Sequence, residues 1–297
     1  MIDIKITLFY TDACNIACEH CFIDESHRTN KKMSSESLKA ILCYADRANV
    51  SVISISGGEA MLFYDGFKDL LHVNKKYKTT ISTNGFWGFS LAQAIDMCID
   101  FQLHGIDQIE ISTDIYHQKY IPMDYIKNII QAADQIGLAY KVIMCIDSDI
   151  KNILESNHFR KLVTITKGIE NIVIQHVANY GKAKMNQLNT NLLCDDFAKQ
   201  KCRQIMNPCI DYDGNVFACC GPHLTLKDTS PFYFGNIKME PIGQIIDRIV
   251  TDKRLQEIMH LGPFIYYKNN VIEVEEGTSL CDYCIKSMKI KNKELPI

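Results

Sequence analysis

Long apolar runs are missing from this chain, and no window reaches the roughly 20 residues needed to span a bilayer as a helix. An export signal is missing too: Met1-Ile2-Asp3-Ile4-Lys5 alternates like a strand and carries an acid where a signal peptide would be basic and then apolar. No long Lys/Arg run occurs, and a formal charge of −3 with a pI near 6.3 argues against a nucleic-acid surface. No sequence-level internal repeat is found. These absences predict a cytoplasmic protein without nucleic-acid or membrane partners. Without export, a disulfide scaffold is not expected either, so the 13 cysteines among 297 residues favour metal binding. Hydrophobic content of 47% and charged content of 23% are ordinary for a folded chain with a full core.

The cysteines are unevenly spread. Cys14, Cys18 and Cys21 fall within eight residues, Cys43, Cys98 and Cys145 are scattered through apolar patterns, and seven follow residue 190. The scattered three read as small buried hydrophobes. The first group stands on a loop after a strand-like run, and its count matters. A structural zinc site and a ferredoxin cluster each close with four ligands. Three close thiolates can instead hold a four-iron cluster with one iron open. A zinc loop whose fourth ligand lies elsewhere is the alternative.

Strand and helix patterns alternate along the chain. Ile2 to Tyr10 is the first predicted strand, and Ser34 or Ser35 caps a helix through Leu38, Ile41, Leu42 and Ala45. Val52 to Ser56 is the second strand, ending in Gly57-Gly58-Glu59, with a helix expected around Phe67, Leu70 and Leu71. Thr79 to Thr83, Gln108 to Thr113, Ala139 to Ile146 and Asn171 to Val177 are further strands. Helices are expected over Leu91 to Leu103, from Pro122 to Gly137, and over Ile150 to Leu162. Six strand–helix repeats predict an α/β fold with a parallel sheet, whose sites gather at the carboxyl ends of the strands. The pattern changes after Val177, which sets expected domains at 1–180 and 181–297. In the second, Pro208 to Cys220 reads as a hairpin turning at Asp213-Gly214, and Pro241 to His260 as a helix.

The spacing Cys14-x-x-x-Cys18-x-x-Cys21, followed one strand later by Gly57-Gly58-Glu59, resembles the radical S-adenosylmethionine (radical SAM) enzymes. The resemblance covers about the first 180 residues and implies a partial (β/α)6 TIM-like barrel. It implies a 4Fe–4S cluster on Cys14, Cys18 and Cys21 whose open iron takes the amino and carboxylate groups of S-adenosylmethionine. It further implies that Gly57, Gly58 and Glu59 hold the methionine amino group and that His20 approaches the adenine. Ser82 and Asn84 resemble the family's Ser/Thr-x-Asn segment. The resemblance also implies that Ser112 and Asp114 meet the ribose or the methionine carboxylate and that His176 lies near the adenine. A low-potential donor such as flavodoxin or ferredoxin would supply the electron that releases a 5′-deoxyadenosyl radical.

Cys202, eleven residues, Gly214, four residues and Cys219 resemble the opening of the SPASM and Twitch extensions of this superfamily. With Cys281 and Cys284 they imply a small cysteine-rich domain holding one auxiliary 4Fe–4S cluster, since the further cysteine run of a full SPASM domain is absent. A zinc ribbon-like site on the same thiols is the alternative. Cys194, Cys209 and Cys220 are left over. The Cys219-Cys220 doublet, Ser82 to Gly88 and Asp114-Ile115-Tyr116-His117 resemble the peptide epimerases of the superfamily, which act on ribosomal precursor peptides. That implies Cys220 as catalytic hydrogen donor, with Cys209 competing for the role and Tyr116 and His117 as substrate-binding candidates. Thioether or carbon–carbon crosslinking of a peptide, and a non-catalytic iron–sulfur or zinc redox sensor, are the other readings. No winged-helix segment precedes the predicted barrel, so leader binding is expected from the barrel, from a separate protein, or not at all.

Overall fold

The computed structural model describes residues 4–23, 28–147, 153–188, 201–202, 204–271, 273 and 279–290. Six strands follow one another: β1 (Ile4–Thr11), β2 (Val50–Gly57), β3 (Lys78–Thr83), β4 (Gln108–Ser112), β5 (Ala139–Ile146) and β6 (Ile172–His176). Each pairs parallel with the next in chain order. Among the described residues β6 pairs with β5 alone, so the winding is that of a (β/α) barrel left open. Helices α1 (Ser35–Arg47), α2 (Leu91–Leu103), α3 (Met123–Ile136) and α4 (Asn157–Ile165) make four of the crossovers. Three of their starts are fixed by side-chain caps: the hydroxyls of Ser34, Ser90 and Ser156 accept from the backbone N–H groups of Ser37, Gln93 and Phe159.

Strand alternation sorts the two faces of the sheet. Ile6, Leu8, Ile53, Ile55, Ile81, Ile109, Ile111 and Val142 are fully buried on the helix side. The intervening Thr7, Ser54, Ser82, Glu110 and Ser112 are polar and half-buried. A parallel sheet covered on both faces reads as continuous apolar runs. Here the second face is polar and half-buried instead.

The helix expected around Phe67 to Leu71 is replaced by two short 3₁₀ turns, Ala60–Gly66 and Lys68–Leu70. Glu59 caps the first through its own carboxylate, and Phe63 leaves helical geometry at φ −125°, ψ 20°. The helix expected over Ile150 to Leu162 is described only from Ile153 on, and α4 starts late because Ser156 caps it.

After β6 come α5 (Gly181–Met185) and strands β7 (Cys209–Asp211), β8 (Asn215–Phe217) and β9 (Tyr233–Asn236). Asp211 accepts from the N–H groups of Asp213 and Asn215, which shapes the Asp213-Gly214 turn between β7 and β8. β7 lies parallel to β1, with Thr7 opposite Cys209, so one nine-stranded sheet runs through the chain. The boundary expected at 180/181 therefore divides the sequence but not the sheet. One hydrophobic core likewise includes Ile6 and Leu8 together with Ile210, Phe217 and Ile245. The helix expected from Pro241 to His260 is two helices, α6 (Ile242–Thr251) and α7 (Lys253–Leu261), because Asp252 breaks the first and caps the second. α8 (Pro263–Asn270) and α9 (Leu280–Lys289) complete the fold. Among the described residues no helix is long and apolar enough to cross a membrane.

Candidate active site

The cysteine loop follows β1 and is strapped to the end of β2. The Gly58 N–H donates to the Thr11 carbonyl at 2.7 Å, and the Glu59 N–H to the Ala13 carbonyl at 2.7 Å. A Cβ at Gly57 would strike the Thr11 carbonyl and one at Gly58 the Ala13 carbonyl, and Gly57 has φ +150°. The close approach these glycines permit is made here to the cysteine loop.

Cys18 is buried, and Cys14 and Cys21 are half-buried. Burial pushes the Cys14 and Cys18 thiols up, and the neighbouring Cys21 adds to this. Holding them as thiolates therefore needs positive charge. The Arg28 guanidinium, 3.9 Å from the Cys21 sulfur, supplies some of it, and a bound metal centre would supply more. A single zinc ion would draw thiolates to about 3.8 Å from one another. Among the described residues, neither Cys14, Cys18 and Cys21 nor any three of Cys202, Cys219, Cys281 and Cys284 lie within 4.8 Å of one another. Cys18 does lie within that distance of His20 and His117.

Glu59 is 1% exposed. One carboxylate oxygen accepts from the Met61 N–H at 3.1 Å and the other from the Asn84 N–H at 2.7 Å. Burial pushes its carboxyl up to about 7, against the lowering effect of these donors and of the Thr83 hydroxyl. A buried carboxylate short of positive charge fits an incoming ammonium group. Asn84 extends the link by donating its side-chain amide to Asn15 in the cysteine loop at 2.8 Å.

Asp114 follows β4 and anchors the third side of the site. Its Oδ1 accepts from the N–H groups of Tyr116 and His117 at 2.9 and 3.0 Å, and its Oδ2 from the Cys145 N–H at 3.2 Å. The His117 Nδ1 lies 2.9 Å and the His20 Nε2 3.8 Å from Oδ2. Burial pushes the Asp114 carboxyl up, but the hydrogen bonds and charge of His117 and the charge of His20 hold it at about 2. Burial brings His20 down to about 4 despite Asp114, and its Nδ1 is buried without a partner. The orphan Nδ1 suits a polar ligand beside the cysteine loop.

The remaining expected ligand-binding residues are dispersed. Ser82 donates to Glu110 at 2.8 Å, Ser112 is half-buried on the polar face of β4, and His176 is exposed at the end of edge strand β6. Cys145 departs from the expectation of a buried hydrophobe: it is half-buried on β5, and its sulfur lies within 4.8 Å of His20 and Asp114. Cys43 departs further and is exposed, whereas Cys98 is buried.

The second group of thiols also converges. Cys219 is pushed up first by burial and then by the charges of Cys284, Cys220, Cys281 and Cys202. Cys209 is 0% exposed. Cys220 is half-buried; its thiol donates to the Gln204 side-chain oxygen at 3.9 Å, and burial pushes it up, with Thr7 of β1 acting to lower it and the Glu110 carboxylate of β4 to raise it. Cys194 lies outside the described residues.

Thr7 and Glu110 escaped the sequence reading. The available signal for Glu110 was the alternation Gln108-Ile109-Glu110-Ile111-Ser112 within a strand of a parallel sheet.

Residues 8–147 match the family model of the Radical SAM superfamily. A Bacillus subtilis protein named for peptide biosynthesis, YydG, is 26% identical over 233 residues, covering 75% of this chain and 70% of its own length. The solved structure of hexahistidine-tagged anSMEcpe with bound AdoMet aligns at a TM-score of 0.57 and 12% identity, over 87% of this chain and 83% of that one. Streptococcus suis SuiB bound to precursor peptide SuiA aligns at a TM-score of 0.58 and 16% identity, over 86% of this chain and 66% of that one. At such identities the two structures speak to the fold alone. Residues 8–147, a little under half of the chain, form a radical SAM domain.

Proposed function

We propose that this radical SAM enzyme modifies a ribosomally made precursor peptide by inverting residues from the L to the D configuration. The position of Cys220 carries this reading. Its half-buried sulfur lies 3.9 Å from the Gln204 side-chain oxygen and is close enough to the polar face of the sheet for Thr7 to lower and Glu110 to raise its pKa, whereas Cys209 is 0% exposed. Thr7 is four residues before Thr11, and Glu110 four before Asp114, so about 13 Å of strand separates the Cys220 level from the mouth of the sheet. A peptide residue held between the two levels would have the cysteine loop on one side and a thiol on the other.

When bound to Cys14, Cys18 and Cys21, the cluster with S-adenosylmethionine supplies a 5′-deoxyadenosyl radical. The chain's residues do the rest in this reading. Glu59, Asn84 and His20 orient the methionine and adenine ends. The substrate gives its α-hydrogen to the 5′ carbon and is left as a carbon-centred radical. Cys220 returns a hydrogen atom from the opposite face, breaking its S–H bond and forming the new C–H bond. The resulting thiyl needs one electron and one proton to become a thiol again. A low-potential donor such as flavodoxin or ferredoxin would supply the electron; Cys202, Cys219, Cys281 and Cys284 would hold an auxiliary cluster, whose chemistry is one-electron transfer.

The test is anaerobic turnover in deuterated water with the peptide encoded beside the gene. A product heavier by one deuterium per inverted residue supports the reading, because the Cys220 thiol exchanges with solvent. A product lighter by two hydrogens means a crosslink and removes the donor role.

A further inference from the structure

A cavity of about 390 Å³ opens where the end of β1, α5, the end of β7 and the 222–229 turn meet. Pockets of this size that bind small groups are mostly apolar with a few placed polar atoms. Phe9, Phe22, Ile23, Leu224 and the ring of Tyr212 supply the apolar walls, and Asp12 and Asp211 the carboxylates. Phe22 directly follows Cys21 and Asp12 precedes Cys14 by two residues, so the cavity adjoins the cysteine loop.

The two carboxylates are not equivalent. Asp211 is engaged: one oxygen accepts from the N–H groups of Asp213 and Asn215, the other from the Asn215 side chain at 2.8 Å. Asp12 is 3% exposed. Its Oδ2 takes the Thr29 N–H at 2.7 Å, the Thr29 hydroxyl at 2.7 Å and the Tyr212 hydroxyl at 3.0 Å. Its Oδ1 is buried with no partner. Among the described residues no Lys, Arg or His makes an ion pair with it. A buried carboxylate with neutral donors on one oxygen and nothing on the other lacks its counter-charge.

We propose that this cavity is a subsite for a basic side chain, lysine or arginine, of the peptide substrate. The aliphatic stem lies against Phe9, Phe22, Ile23 and Leu224, and the cation meets Asp12. The inference rests on the peptide-modifying reading and adds a residue preference to it.

Two capped tripeptides make the test, acetyl-Gly-Lys-Gly-amide and its norleucine counterpart, which keeps the stem and drops the ammonium. Their affinities for the cluster-loaded protein are measured by titration calorimetry at low salt. The lysine peptide is expected to bind at least about tenfold tighter, the scale of one partly desolvated ion pair. Asp12→Asn should erase the difference. Leu224→Trp fills the cavity from a residue with no part in the Asp12 hydrogen bonds, and should weaken both peptides. Equal binding of the two peptides to the native protein overturns the proposal, as does a lysine preference that survives both substitutions. S-adenosylmethionine cleavage in the same preparation separates the two claims. Cleavage without a lysine preference sinks the subsite and leaves the enzymatic reading. A lysine preference without cleavage or peptide modification does the reverse.

Discussion

The Tyr180 hydroxyl donates to the Asp282 carboxylate at 2.6 Å, tying the segment after β6 to the helix that carries Cys281 and Cys284. The same segment reaches the opposite way. The Lys182 N–H donates to the Cys21 carbonyl at 2.9 Å, and the Lys182 ammonium to the Ala17 carbonyl at 3.0 Å. Three residues, 180 to 182, thus join the two cysteine groups. Tyr180→Phe removes one hydrogen bond to a carboxylate and should destabilise the metal-free protein by about 1–2 kcal/mol. Thermal unfolding checks this, and an unchanged midpoint would mean that the bond contributes nothing.

Gly58→Ala drives a methyl group into the Ala13 carbonyl. Backbone cannot yield as a flexible side chain can, so the cysteine loop must move, at a cost of about 1–3 kcal/mol. The expected result is less iron retained per chain after reconstitution, read by iron analysis. Full iron content would show that the strap does not set the loop.

Glu59 gives the metal-free protein a pH signature. Its carboxyl lies near 7 when folded against an ordinary 4.5, so between these values the folded chain holds a proton that the unfolded chain has released. Stability should therefore fall as pH rises through that window, by on the order of 3 kcal/mol from this group. Glu59→Gln carries no such dependence. Chemical denaturation of both proteins at pH 5 and pH 8 reads the difference, and parallel pH profiles would refute the assignment.

The strand alternation and the two motifs at the cysteine loop and Gly57-Gly58-Glu59 were legible because each is local. Strand boundaries came out within a few residues for the same reason: capping serines and glycines are neighbours of what they stop. The pairing of Thr7 with Cys209 was not legible, since it joins residues far apart in sequence and no periodicity records it. The 3₁₀ turns after Glu59 were missed because a glutamate read as a ligand also caps a turn. Cys145 was misread because alternation puts it on the polar side of β5, whereas its apolar neighbours suggested the core. The hydrogen bonds from Tyr116, His117 and Cys145 to Asp114 were not legible either, since the last joins two strands.

Glu110 is half-buried on the polar face, accepts from Ser82 at 2.8 Å and acts on the Cys220 thiol. In the proposed reaction it stands beside the donor thiol, not beside the S-adenosylmethionine-orienting residues Glu59, Asn84 and His20. Glu110→Gln should lower peptide product by about tenfold or more while changing 5′-deoxyadenosine release by less than about twofold. Equal loss of both would make Glu110 part of the S-adenosylmethionine site.

Comparison of Cys220→Ala with Cys209→Ala, in deuterated water with the precursor peptide, tests the donor assignment most directly. The account predicts that Cys220→Ala still releases 5′-deoxyadenosine and yields no inverted, deuterium-bearing peptide. Cys209→Ala should yield that peptide. Normal inversion by Cys220→Ala would contradict the account.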